Sequence, residues 1–313
     1  MRVVITGGCG FIGSHLVKEA VTRRWDVTVY DNFSRFAPDH LGDYKEAVSI
    51  VKGEIEDLAG LRKTLNGADV VFHLAAASRQ SGSIESPNTY FSPNVLGTFN
   101  VAEACRTTSV RIIFTSTWVV YQKRQRETLT KFDEKAVLDP ENPYAMSKKQ
   151  GEDWLNLYNS LYREDSVIFR LSNIYGPGDK NRIIPSIIDR AKKGDDIVVF
   201  GKDRLLNFVH VDDLVEAFVF AATKKRMDNR ILNIGSDTSV TMKEVADRIT
   251  KAASSNSRIR VEPLPDWEHP YYLPDISLAE KELGFRTRKQ LDAGIEEMVR
   301  PEVAKPLVIS EVR

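Results

Sequence analysis

Short, almost continuously apolar runs rich in β-branched residues alternate along this chain with longer stretches whose apolar positions recur every three to four residues. The runs at 3–6, 27–30, 48–51, 70–74, 112–115 and 167–171 read as parallel strands covered on both faces. A strand with one wet face would instead alternate apolar and polar side chains. Between them, 14–21, 58–65, 94–106 and 145–162 carry helical spacing. Such strand–helix alternation predicts an α/β fold built on a doubly wound parallel sheet.

The pattern loosens after residue 173, where Pro177, Gly178 and Pro185 interrupt it. A helix is expected at 184–193 and a strand at 197–200. Residues 208–211, 213–222 and 231–234 then read strand, helix, strand, so the chain is expected to return to the first sheet. Thr241…Glu244 and Ser277…Glu280 each match the capping box that opens a helix. The expected organisation is a larger domain over 1–173, rejoined by 208–235, with a smaller lobe from 174–207 and 236–313.

Charge and composition narrow the function. Lys+Arg and Asp+Glu both number 44 in 313 residues, so there is no cation excess to hold nucleic acid or a polybasic membrane contact. No apolar run approaches ~18 residues, and Met1-Arg2 leads straight into a strand, so neither a membrane span nor a signal peptide is expected. Cys9 and Cys105 are too few for a disulfide framework or a four-cysteine zinc site. No His/Cys/Asp group has metal-ligand spacing, and His73 and His210 read as satisfied core histidines. A cytoplasmic, metal-free protein is expected.

The first run ends in Thr6-Gly7-Gly8-Cys9-Gly10-Phe11-Ile12-Gly13, and a helix follows. Gly7 permits the tight turn, Gly10 lets backbone approach a pyrophosphate, and Gly13 allows close helix–strand packing. The helix N-terminus then directs free N–H groups at that phosphate. Asp31 stands eighteen residues past Gly13, at the end of the second run, where a carboxylate accepts ribose hydroxyls and repels a 2′-phosphate. NAD is therefore expected over NADP; Arg35, four residues on, reads first as a solvated surface arginine and second as a cation offsetting part of the repulsion. The sheet becomes a Rossmann-type one.

Tyr144 and Lys148 lie four residues apart at the start of a long helix, so the hydroxyl and the ammonium share a face. A phenol of pKa ~10 is a poor base at neutral pH, and a fixed ammonium favours its ionised form. The strand at 112–115 runs on to Thr117, at the strand end where doubly wound sheets bind ligands. Its hydroxyl is placed to bond both a substrate oxygen and Tyr144.

With these residues in hand, the chain resembles the extended short-chain dehydrogenases/reductases of the NAD-dependent epimerase/dehydratase family, above all nucleotide-sugar 4-epimerases. Residues 6–13 match its TGGxGFIG turn, and Tyr30-Asp31-Asn32 its ribose-binding strand end. Similar too are His73-Leu74-Ala75-Ala76, Asn94-Val95-Leu96-Gly97-Thr98 and Asn142-Pro143-Tyr144-Ala145-Met146-Ser147-Lys148. Arg170 through Pro177 resembles RxxNxYGP, and Phe208 through Asp213 resembles FVHVDD. The resemblance extends from Met1 to about Val299.

It implies NAD contacts from Gly7, Gly10, Phe11, Ile12 and Gly13, then from Asp31, Asn32, Ser34, Arg35, Glu54 and Ile55. Further contacts are implied from Leu74, Ala75, Ala76, Asn94, Thr115, Tyr144, Lys148 and Leu171. Thr117, Tyr144 and Lys148 become the catalytic residues: Tyr144 removes a sugar hydroxyl proton while hydride passes to NAD, and the 4-keto sugar turns and is reduced on its other face. A UDP- or TDP-linked sugar substrate and a homodimer are implied. The dimer contact pairs the helix carrying Val95, Phe99 and Ala102 with that carrying Trp154, Leu157 and Leu161.

Departures limit what carries over. Trp118 and Val119 stand where dehydratases carry acids, so a 4,6-dehydratase is not expected. Gln122 replaces a glycine and is followed by the basic run 123–126, while Ser78 stands where some hexose epimerases carry a lysine. The usual phosphate arginines before Phe208 and near residues 267–269 are missing. Asn173, Arg182 and Arg204 are the candidates to hold the diphosphate in their place. An NAD-dependent dehydrogenase of a small alcohol or keto-sugar stays open as the alternative. A non-enzymatic dinucleotide sensor is disfavoured by Thr117, Tyr144 and Lys148 occurring together.

Overall fold

The computed structural model describes residues 1–121, 131–180, 182–227, 229–265 and 271–300. The chain begins with β1 (Arg2–Thr6), α1 (Phe11–Thr22), β2 (Asp26–Asp31), β3 (Ser49–Lys52), α2 (Leu58–Leu65) and β4 (Val70–His73). Two short helices, α3 (Gln80–Glu85) and α4 (Asn88–Phe91), lead to α5 (Gly97–Cys105), β5 (Arg111–Thr117), α6 (Pro143–Tyr162), β6 (Ser166–Leu171) and β7 (Asn173–Tyr175). There follow α7 (Ile183–Lys193), β8 (Ile197–Phe200), β9 (Leu205–His210), α8 (Val211–Thr223) and β10 (Arg230–Ile234). The last elements are β11 (Ser239–Thr241), α9 (Met242–Ala252), β12 (Ile259–Glu262), α10 (Ser277–Leu283) and α11 (Leu291–Val299).

Seven strands form one parallel sheet in the order β3-β2-β1-β4-β5-β6-β10. The near-continuous apolar runs have their expected cause: every residue of β4, β5 and β6 is buried, because helices cover both faces. Phe72, Phe169 and Phe218 of α8 build one layer, with Phe169 and Phe218 stacked at 5.5 Å between ring centres. Ile112, Phe114, Leu155 and Tyr158 build the other, under α2, α5 and α6. Chain order reverses between β1 and β4, and the crevice this opens at the strand C-termini is where such sheets take ligands.

A second core, with Tyr175, Ile184, Leu206, Val245 and Ile295, underlies the small β11-β9-β7 sheet and helices α7, α9 and α11. Here one expectation fails. The strand expected at 208–211 does not rejoin the first sheet: β9 pairs parallel with β7 and antiparallel with β11. The reason is its side chains, since Leu206 and Phe208 face the second core while Val209 faces the first. Of the segment 208–235, only β10 enters the large sheet, as its edge strand.

Two local expectations also change. The helix expected at 94–106 enters through a π-turn at Ser92–Leu96 before α5 begins. Thr241 and Glu244 form the reciprocal capping box at 3.1 and 2.7 Å. Ser277 does not cap α10. Asp275 takes both its N–H at 2.9 Å and its hydroxyl at 2.6 Å, an anion being the better acceptor at a helix N-terminus.

Candidate active site

A cleft of about 750 Å³ opens at the C-terminal ends of β1, β4, β5 and β6 and is closed by the second lobe. At its floor Gly7 adopts φ +68°, where a Cβ would lie 2.8 Å from the Ala75 nitrogen. A Cβ on Gly13 would lie 2.4 Å from the Gly7 oxygen, so α1 begins closer to the turn than any side chain allows. No side chain caps α1, which leaves its first-turn N–H groups facing the cleft. The residues present fit a dinucleotide: a bare backbone cradle for the pyrophosphate, and an acid beside it for the ribose.

That acid is Asp31, at the end of β2. Its carboxylate accepts the N–H groups of Cys9 at 3.0 Å and Phe33 at 2.8 Å, which hold it upright at the cleft wall. Asn32 donates to the Glu54 carboxylate at 2.8 Å, joining the segments that follow β2 and β3. Arg35 reaches across to donate to the Ser78 hydroxyl at 3.0 Å. Burial, then Arg182 and Arg79, lower the proton affinity of Arg35, so three guanidinium groups converge on this rim.

The reacting end is built from β5 and α6. Asn142 caps α6 by accepting the Ala145 N–H at 2.8 Å, and Pro143 fills its first turn. This sets Tyr144 at the mouth, hydrogen-bonded to Thr117, with Lys148 one turn deeper. Burial raises the Tyr144 pKa, while Arg182 and the Thr117 hydrogen bond pull it down. Lys148 is pushed down to about 7 by burial, with Glu152 opposing. Burial thus penalises phenolate and ammonium separately and favours them only as a pair.

Every residue expected at the site lines this cleft except Asn94. Asn94 is 1% exposed and fully engaged inside the chain: its amide donates to the Ala77 carbonyl and the Ser147 hydroxyl, and its oxygen accepts the Ala77 N–H. It braces the β4 loop against α6. Asn173 donates one amide hydrogen to the Asn207 carbonyl at 2.9 Å and keeps a second. Arg182 stands over the Phe11 ring, 3.5 Å from Asp179, and Arg204 is buried in the wall.

Sequence reasoning missed Arg79, Lys180 and Ser172, which also line the cleft. Arg79 and Lys180 adjoin recognised segments, and Ser172 lies inside one, at a variable position of the segment Arg170 to Pro177. Trp118 lines the cleft with its ring stacked on Tyr272 at 4.5 Å, and Val119 is buried, so no acid follows Thr117. Residues 122–126 and 267–269 lie outside the described residues.

His73 is satisfied on both nitrogens, by Thr6 at 2.9 Å and Thr98 at 3.0 Å. His210 is only half so, its Nε2 lacking a hydrogen bond. Folding brings it together with Asp212 and Glu297, a grouping that linear spacing did not reveal. Lys289 already bridges those two carboxylates at 3.1 and 2.5 Å, supplying the positive charge.

Fold and site together define a dinucleotide-dependent enzyme of the extended short-chain dehydrogenase/reductase type. The chain belongs to the NAD dependent epimerase/dehydratase family, whose model matches residues 3–235. It is 32% identical to a UDP-N-acetyl-alpha-D-glucosaminuronate decarboxylase of Bacillus cytotoxicus, over 96% of this chain and 97% of that protein. Among solved structures, a UDP-glucose 4-epimerase of Thermus thermophilus in complex with NAD superposes with a TM-score of 0.86 at 26% identity, over 96% of this chain and 98% of that one. A UDP-N-acetylglucosamine 4-epimerase of Methanobrevibacter ruminantium, in complex with UDP-N-acetylmuramic acid, gives 0.88 at 27% identity, over 95% and 96%.

Proposed function

We propose that this protein is an NAD-dependent C4 epimerase of nucleotide-diphosphate sugars. The observation that carries the reading is Thr117, Tyr144 and Lys148 meeting at the end of β5, followed by Trp118 and Val119 rather than acids. Gly7 to Gly13, Asp31 and Lys148 would hold NAD, which when bound would supply the acceptor and then the donor of one hydride. Tyr144 takes the proton from the 4-hydroxyl, Thr117 orients that oxygen, and Lys148 offsets the developing phenolate charge. After the keto sugar turns over, Tyr144 returns the proton to the same oxygen. With no acid after Thr117, nothing there assists loss of water. Arg182, Arg204 and Asn173 hold the diphosphate, since a buried diphosphate must be matched by charge or donors.

The test is incubation with NAD and, separately, UDP-glucose, UDP-N-acetylglucosamine and UDP-glucuronate. A 4-epimer should form with no net accumulation of NADH. Stoichiometric NADH would shift the assignment to a dehydrogenase, and release of carbon dioxide from the uronate to a decarboxylase like the Bacillus relative.

We further propose a homodimer through α5 and α6. Val95 and Ala102, expected at such a contact, are buried within the chain itself. Leu157 and Leu161 are 44% and 61% exposed on α6, whose Trp154 packs against Phe99 of α5, and they make the supporting face. A cytoplasmic location is supported by two buried free thiols, Cys9 and Cys105. Among the described residues no helix is long and apolar enough to cross a membrane.

A further inference from the structure

One turn beyond Lys148 on α6 lies Glu152, 1% exposed. Arg170 of β6 donates to its carboxylate at 2.7, 3.1 and 3.2 Å, and the Ser116 hydroxyl of β5 closes on its Oε1. Arg170 also donates to the Tyr121 hydroxyl at 3.1 Å and the Glu134 carbonyl at 2.9 Å. Both side chains of the pair are 2% exposed. A buried ion pair is a poor source of stability, because apolar side chains of similar volume often serve as well. Its position beneath the reacting lysine is therefore the property to explain.

Around Lys148, β5 presents the Phe114 ring, 4.7 Å from the ammonium. His73 on β4 is neutral, pushed to about 3 by burial and by Lys148 itself. Tyr144 lies on the same helix, with Tyr90 of α4 at its edge and Arg182 acting on it from the start of α7. Glu152 is the acid that favours the ammonium.

We propose that the Glu152–Arg170 pair sets the charge of Lys148, and that Glu152 is thereby a positioning residue for proton transfer at Tyr144. This rests on the reading of Tyr144 and Lys148 as a working pair. Were Glu152 unengaged, it would draw Lys148 into an ordinary salt bridge, away from the cleft. Arg170 and Ser116 take up its oxygens, so that its field reaches Lys148 while its hydrogen bonds do not. Lys148 is kept charged without being tied down.

The test is the titration of Lys148 by NMR of protein carrying ¹³Cε-lysine, its signal assigned with Lys148→Met. Glu152→Gln should lower the midpoint by a pH unit or more, a tenfold loss of proton affinity. That variant leaves Arg170 buried and unpaired, so Glu152→Gln/Arg170→Met supplies a neutral pair of similar volume. Its midpoint should fall as well, but less. Ser116→Ala keeps both charges, removes one donor from the carboxylate, and should raise the midpoint. The alkaline limb of the turnover profile should follow the midpoint in each variant. An unmoved Lys148 midpoint in the variants that melt cooperatively and bind NAD overturns the proposal. The titration needs no turnover, so failure of the epimerase reading would leave its outcome standing.

Discussion

Tyr144→Phe removes one hydroxyl with little change in volume, from a ring whose orientation is fixed by the start of α6. NAD affinity and melting temperature should persist while epimerisation drops ~10²–10⁴-fold, the usual contribution of a general acid–base group. A calorimetric titration beside a turnover assay separates the two effects. Far from the cleft, Glu164 is buried, and neither carboxylate oxygen has a hydrogen-bond partner. Burial, and then Glu103, push its pKa up from 4.5 to about 7, with Arg106 opposing. The folded state therefore holds this proton more tightly than the unfolded chain, and stability falls as pH rises through that window. Glu164→Gln should be the more stable protein at pH 8, by about 1–3 kcal/mol, with the difference vanishing below pH 4.5. Urea denaturation at both pH values would show it.

The element that organises the site is α6. Its N-terminus presents Tyr144, its buried face carries Lys148 and Glu152, and its outer face leaves Leu157 and Leu161 to solvent. The proposed dimer would cover these two side chains. Leu157→Arg/Leu161→Arg should yield a monomer by light scattering, with unchanged far-ultraviolet circular dichroism. A dimer persisting in that variant would move the interface elsewhere. The strand β9 shows how one element serves two cores: Val209 points into the first, Leu206 and Phe208 into the second. The cleft wall is thereby fixed to both.

For the whole molecule, a ligand that binds the folded state stabilises it by mass action. NAD at about 100 times its dissociation constant should add ~2.7 kcal/mol, seen as a rise of several degrees in melting temperature. NADP at the same concentration should add clearly less, because its 2′-phosphate meets the carboxylate of Asp31. Equal shifts would remove Asp31 from its selecting role.

By itself the sequence determined the large sheet, the glycine turn, Asp31 and the Thr117–Tyr144–Lys148 set. Each is a local pattern: buried parallel strands read as apolar runs, the turn requires glycine at fixed intervals, and residues four apart on a helix share a face. Even the cap expected from Ser277 fails for a local reason, a stronger acceptor two residues away. Tertiary structure decided what depends on distant segments meeting. It sent β9 to the small sheet, set Asn94 as an internal brace between Ala77 and Ser147, and gathered Arg35, Arg79 and Arg182 on one rim. It also set Glu152 of α6 against Arg170 of β6, a pairing across 18 residues of sequence. No periodicity encodes such meetings, because they follow from how strands and helices stack once the core has closed.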